Sequence, residues 1–354
     1  MKTTTTLCLA AGLLASGLLL TSGARSQTPT ARKPALTYAE SARLAALPRT
    51  SLQTFTTQRS RPVTPEEASR LVEKVTGQAK VALRLDKEQG KEGASLVFRG
   101  QDPSAVLSLD PRRGDFLFNK GLAAYSAEKE TPGLPSKEEA LKVAQRHLDS
   151  LALAPPAEES LVAHIGGLNM AVHREDGTTG DYRKLVTVRF GRKLGGLRVV
   201  GDSRAIVQIG EGGELAGLVW DWLPAKGRPV RAAELRGDEQ IRAEIERRIR
   251  AESGSPLRIV VQSQELVLYD DGRSIEPAIR VKAERTYRVK MVNGKEQGQM
   301  REYTVPYDAI VPVLAKPRAV YPQAKAAEVM RTLKRDQPGE LRGDPKDDEP
   351  RPKG

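Results

Sequence analysis

Glycines divide residues 189 to 218 into short apolar runs, and that pattern restricts the fold more than anything else in the chain. The segment reads Arg189-Phe190-Gly191, then Leu194-Gly195-Gly196-Leu197-Arg198-Val199-Val200-Gly201, then Ser203 to Ile209, then Gly212-Gly213-Glu214-Leu215. Runs of this length, broken by glycines at this interval, describe antiparallel strands joined by tight turns.

Similar strands recur on both sides, each set behind a helix. Thr64-Pro65-Glu66-Glu67 is a capping box with proline at the first helical position, and Ala68, Leu71, Val72 and Val75 then share one face. Val81, Leu83 and Leu85 alternate with Lys80, Ala82 and Arg84, and short strands are expected at 95–99, 105–109 and 115–118. Ser136-Lys137-Glu138-Glu139 opens a second helix with the stripe Leu141, Ala144, Leu148 and Leu151. Strands are expected behind it near 159–173 (broken by a glycine pair), 183–193, 197–209 and 214–223. Asp238 caps a third helix with Ile241, Ile245 and Ile249 at four-residue spacing, ahead of strands near 257–269, 276–292 and 299–314. Asn293-Gly294 is a hairpin signal within that last group. The expected fold class is therefore α+β, built from repeated units of one helix on three or four antiparallel strands. The units span 63–120, 134–224 and 232–315, and in each the sheet's apolar face covers the helix stripe.

The ends read differently. Lys2, the apolar run Leu7–Leu20 and the small residues Ser22, Gly23, Ala24 and Ser26 have the layout of a secretory signal peptide over 1–26. Cleavage is expected after Ala24 or Ser26, and the run is shorter than the roughly 20 residues that span a bilayer. The expected location is therefore periplasmic or secreted. Cys8 is the single cysteine, so the exported form would have no disulfide and no cysteine nucleophile. Residues 27–62, rich in Ser, Thr, Ala, Pro and Arg, read as a flexible linker. A short helix is expected at 323–334, followed by a disordered tail at 335–354.

Catalytic signatures are sparse. His147, His164 and His173 form no H-E-x-x-H and no helical pair, so no metal site is expected from them. Gly201-Asp202-Ser203 lies between strands, which points to a turn and not to a nucleophile elbow. The glycine pairs 166–167, 195–196 and 212–213 precede no capped helix and read as hairpin turns, as does Asp270-Asp271-Gly272. No cofactor and no enzymatic activity are expected.

Two features could serve a partner. Trp220 and Trp222 share a strand face with Asp221 on the other, and read either as core of the second unit or as an exposed aromatic anchor. Arg189, Arg192, Lys193, Arg198 and Arg204 read either as one cationic surface or as the solvated side of a half-buried sheet. The chain carries 57 Lys and Arg against 45 Asp and Glu, a balance that favours anionic partners or serves ordinary solubility. Nucleic acid is not expected, since Phe190 is the one aromatic residue close to these charges.

The glycine-punctuated stretch also resembles the propeptide domains of thermolysin-like and fungalysin-like metalloproteases and the related PepSY domains. Their pattern is a strand G-hydrophobic-x-V-x-G, then an alternating strand and a glycine turn, matched here by Gly196, Val199, Gly201, Ile206 and Gly213. The resemblance implies a cystatin-like arrangement of helix and curved sheet. Such propeptides act as folding assistants and inhibitors of their own protease, but no zinc motif follows here. It therefore implies a free-standing, non-catalytic protein-binding module that inhibits or chaperones a protease in trans. The alternative is a cationic envelope-associated protein that binds an anionic cell-surface polymer.

Overall fold

The computed structural model describes residues 35–322, except 43–46, 58–60, 87–94, 175, 254–255 and 291–299. The expected signal peptide with Cys8, the Asn293-Gly294 turn, the helix at 323–334 and the tail all lie outside the described residues. The chain divides into two units, Met1–Ala319 and Val320–Gly354. All the helices and strands described belong to the first; of the second, residues 320–322 alone are described.

In chain order the elements are strands β1 (Ala35–Tyr38) and β2 (Gln53–Thr57), helix α1 (Pro65–Ala79), and strands β3 (Arg84–Leu85), β4 (Leu96–Arg99), β5 (Val106–Leu109) and β6 (Phe116–Asn119). Helix α2 (Lys137–Ser150) follows, then β7 (Ser160–His173), β8 (Thr179–Leu194), β9 (Leu197–Gly201), β10 (Arg204–Ile209), β11 (Leu215–Asp221) and β12 (Ala225–Pro229). Helix α3 (Asp238–Glu252) and strands β13 (Arg258–Asp270), β14 (Ser274–Lys290) and β15 (Met300–Pro312) complete the series. No helix among the described residues is long and apolar enough to cross a membrane.

Local signals set the helix starts. Thr64 Oγ1 accepts the Glu67 N–H at 3.3 Å while the Glu67 carboxylate accepts the Thr64 N–H at 3.0 Å. Ser136 and Glu139 repeat the exchange at 3.2 and 3.0 Å. Each box satisfies donors that the first helical turn leaves open. Helix α3 departs from expectation by one residue: Gly237 is its N-cap, with the Gln240 side chain accepting the Gly237 N–H at 3.0 Å. Asp238 instead pairs with Arg49.

The expected repetition of small cystatin-like units is corrected by the sheet. Among the described residues, strands from all three segments join one mixed sheet of 15 strands, with three α-helices packed on it. Strands β6 and β11 pair from Asn119↔Gly217 to Phe116↔Trp220, so the strands of 63–120 and 134–224 run on as one layer. Helices α1 and α2 share one core on it, where Val72, Val75, Ala144 and Leu148 pack against Leu107, Phe118, Val188, Val207 and Leu218. A second core joins Ile241, Ile245 and Ile249 of α3 to Ile259, Ile279, Val281 and Val311. Two-residue alternation tells which face of a strand is buried but not which strand lies beside it, which is why the merger escapes the pattern.

Residues 35–38 and 53–57, expected as part of the linker, also belong to the sheet. Strand β1 runs parallel to β13, from Ala35↔Arg258 to Tyr38↔Val261, and β2 pairs with β12 and with the start of β14. Ala42, Leu47 and Leu52 are buried in the second core. Strand β7 differs too: it continues through Gly166-Gly167 instead of breaking there. A side chain at Gly167 would strike the Leu185 carbonyl oxygen on β8, so glycine is what lets the two strands stay paired.

Candidate functional site

Alternation along β8 and β10 sorts the candidate residues onto two faces. Val188, Phe190, Ala205 and Val207 lie in the core with α1 and α2, so Arg189 and Arg204 point to the opposite side. Residues Arg192 and Phe190 are two apart, and Arg192 therefore turns inward with Phe190. It is the largest of the fully buried side chains, bonded to Glu159 at 2.7 Å and to the Leu223 carbonyl at 2.7 Å. Arg192 thus leaves the cationic ladder in which the sequence places it.

The tryptophans sit on the core side. Trp222 is 8% exposed within the core, and Trp220 is half-buried against it. Their rings are 6.1 Å apart, and the Arg192 guanidinium lies 5.4 Å from the Trp222 ring. The reading of Trp222 as an exposed partner anchor gives way to the core reading.

The remaining arginines converge. Arg189 from β8, Arg198 from β9 and Arg204 from β10 lie close to Arg280 from β14. Desolvation, followed by the charges of Arg204, Arg198 and Arg280, pulls Arg189 below its ordinary pKa. Arg280 is held by Asp308 at 3.1 Å, whereas Arg189, Arg198 and Arg204 form no ion pair among the described residues. The buried Nε of Arg204 has no hydrogen-bond partner. Three strands thus bring together positive charges that form no ion pair among the described residues.

Carboxylates gather beside them. Asp221 faces Arg204 across the β10–β11 ladder. Arg113 reaches Asp115 at 2.7 Å, Asp221 at 3.4 Å and the Gly272 carbonyl. Asp270 is buried and raised by that burial, although it accepts hydrogen bonds from the Ser203 N–H at 3.0 Å, the Ser203 hydroxyl and the Gly272 N–H at 2.8 Å. Burial, then repulsion from Asp202 and Asp115, pushes Asp221 up to about 7 against the pull of Arg113. These aspartates come from four separate strands or turns, so no spacing in the sequence marks them. The turns at Gly201-Asp202-Ser203 and Asp270-Asp271-Gly272 meet here, with Gly201 at φ +117° packed directly against Asp270.

Asp221 gives a pH signature. Its folded pKa lies above the ordinary carboxylate value, so the folded protein keeps a proton that the unfolded chain has released. The contribution to stability is undiminished below about pH 4, falls between about pH 4 and 7, and stays low above that. Asp221→Asn should raise stability at pH 8 by roughly 1–3 kcal/mol and leave it nearly unchanged at pH 4. Urea unfolding at the two pH values measures this, and an equal effect at both would refute the assignment.

The histidines fall elsewhere. His147, half-buried on α2, bonds Gln78 of α1 at 2.6 Å and the Gly213 carbonyl at 2.9 Å, and burial lowers its pKa. His164 and His173 are exposed on β7. Among the described residues no group of three His, Cys, Asp or Glu side chains is arranged to hold a metal ion.

No family model matches the chain, and no curated protein matches it. Among solved structures, an uncharacterized protein from Eubacterium rectale aligns over 76% of this chain and 86% of its own, with 13% identity and a TM-score of 0.35.

Proposed function

We propose that this chain is an exported, non-catalytic binding protein that holds an acidic protein partner against Arg189, Arg198 and Arg204. The observation that carries the reading is their convergence from three strands with no carboxylate partner among the described residues. Like charges held together cost free energy in the isolated protein, and an acidic surface relieves that cost on docking. The signal-like amino terminus and the resemblance to inhibitory propeptides support a secreted or envelope protein, including a protease, as that partner. The net charge of +12 speeds encounter with such a partner.

The test uses immobilised protein against proteins of the secreted and envelope fractions. A partner should be retained at about 50 mM salt, released by about 500 mM, and bound roughly tenfold or more weakly by Arg189→Gln/Arg198→Gln. Both residues are exposed, so the variant should keep the parent's thermal stability. Equal retention by parent and variant would overturn the reading. So would capture by protease-stripped envelopes alone, which would identify an anionic polymer as the partner. Turnover of a peptide, glycan or ester by homogeneous protein would overturn its non-catalytic part.

A further inference from the structure

A cavity of about 460 Å³ is bounded by residues 54–56 of β2, Arg228 of β12, residues 233–234, Ser274 and Glu276 at the start of β14, and residues 314–316 and 318. Nothing in the arginine cluster reaches it, and its polar groups are unequally satisfied. Arg228 and Glu234 close on each other through two contacts at 3.1 and 3.2 Å. Lys316 and Arg318 line the same cavity, are exposed, and form no ion pair among the described residues.

Glu276 is the unusual member. It is 1% exposed yet lines this cavity. One carboxylate oxygen accepts the Arg318 N–H at 2.8 Å, and the other, Oε2, is buried with no hydrogen bond. A buried polar atom without a partner typically costs about 1–3 kcal/mol. A ligand that enters the cavity and packs against Glu276 would supply the donor that Oε2 lacks. Burial raises its pKa, while the backbone amides of Arg318 and Ala319 and the charge of Arg318 act against that rise. The Arg318 charge therefore acts near the carboxyl group.

One wall thus offers an acceptor that lacks a donor, and two cations of the lining, Lys316 and Arg318, have no ion-pair partner among the described residues. We propose that the cavity binds a small zwitterion, a free amino acid or a dipeptide, whose ammonium donates to Glu276 Oε2 and whose carboxylate meets Lys316 and Arg318. The ammonium restores the buried carboxylate's missing hydrogen bond and favours its charged form. The volume lies in the range of ordinary small-molecule sites, and Ser274, Thr54 and Thr56 supply further polar groups along the walls. The site is independent of the arginine cluster, so either can fail without the other.

Calorimetric titration of the full chain with L-alanine, L-alanyl-L-alanine, N-acetyl-L-alanyl-L-alanine and L-alanyl-L-alanine amide tests this. Saturable binding of alanine or dialanine is expected, and the relative affinity of the two identifies the free amino acid or the dipeptide as ligand. Acetylation should weaken dialanine by tenfold or more through loss of the ammonium, and amidation should do so through loss of the carboxylate. Glu276→Gln should weaken dialanine at least tenfold. Should that variant fold poorly, Lys316→Ala/Arg318→Ala changes only exposed side chains and should weaken dialanine while barely affecting its amide. Absence of saturable binding by both free ligands up to about 10 mM would overturn the proposal. Equal binding of the acetylated and free dipeptides would overturn it as well.

Discussion

Trp222→Ala should destabilise the protein by about 3–5 kcal/mol, the usual cost of truncating a core aromatic residue. Trp222 is buried in the core that α1 and α2 share, stacked beside Trp220 and under the Arg192 guanidinium. Its indole N–H makes no hydrogen bond, so the loss is one of packing and of the cation's aromatic contact. Trp222→Phe should recover much of that loss. Urea unfolding of the three proteins at neutral pH gives the comparison. A loss below about 0.5 kcal/mol for the alanine variant would place the indole at the surface.

The second large effect concerns the ion pair over that ring, and it should be lopsided. Arg192 is 1% exposed on its side chain and Glu159 27%. Removing the glutamate leaves a buried guanidinium without its counter-charge, whereas removing the arginine leaves a carboxylate that water can reach. Glu159→Ala should therefore cost about 3–5 kcal/mol, the range for breaking a buried pair from one side. Arg192→Met, which removes the buried charge and keeps an aliphatic filling, should cost less. The double variant should be more stable than Glu159→Ala alone, because the stranded charge is gone. If Glu159→Ala proves the milder single change, the guanidinium is not dependent on its carboxylate.

How much of this can be read from the sequence depends on the range of the information. Thr64 with Glu67, and Ser136 with Glu139, are three residues apart, and both boxes form as the sequence predicts. The glycines around β8 to β11 likewise mark turns through local conformational needs. The sheet that contains them is set by pairings such as Trp220 with Phe116, and no local signal encodes that partnership. Residues 35–57 mislead through composition: Ser and Thr suit an exposed strand as readily as a spacer.

The same limit governs the sites. Arg189, Arg198 and Arg204 are visible as charges next to apolar strand residues, but Arg280 belongs with them only through the fold. Parity relative to Phe190 separates Arg192 from Arg189, and applied strictly it removes Arg192 from the ladder. Asp202 and Asp221 come from distant positions to join Asp115 around Arg113. Glu276 finds its backbone donor 42 residues further on, at Arg318. Nothing in the sequence distinguishes that glutamate from a surface one.

Strand β1 lies beside β13, where Thr37 Oγ1 reaches the Ile259 carbonyl across 222 positions of sequence. Chains whose contacts span such distances fold slowly, since a long loop must close before the contact rewards it. Emerging from its amino end, this polypeptide would display β1 and β2 long before β13 existed to receive the one, or β12 and β14 the other. The earliest strands to appear are thus among the latest able to dock, and any fragment ending before residue 258 would leave β1 without its partner.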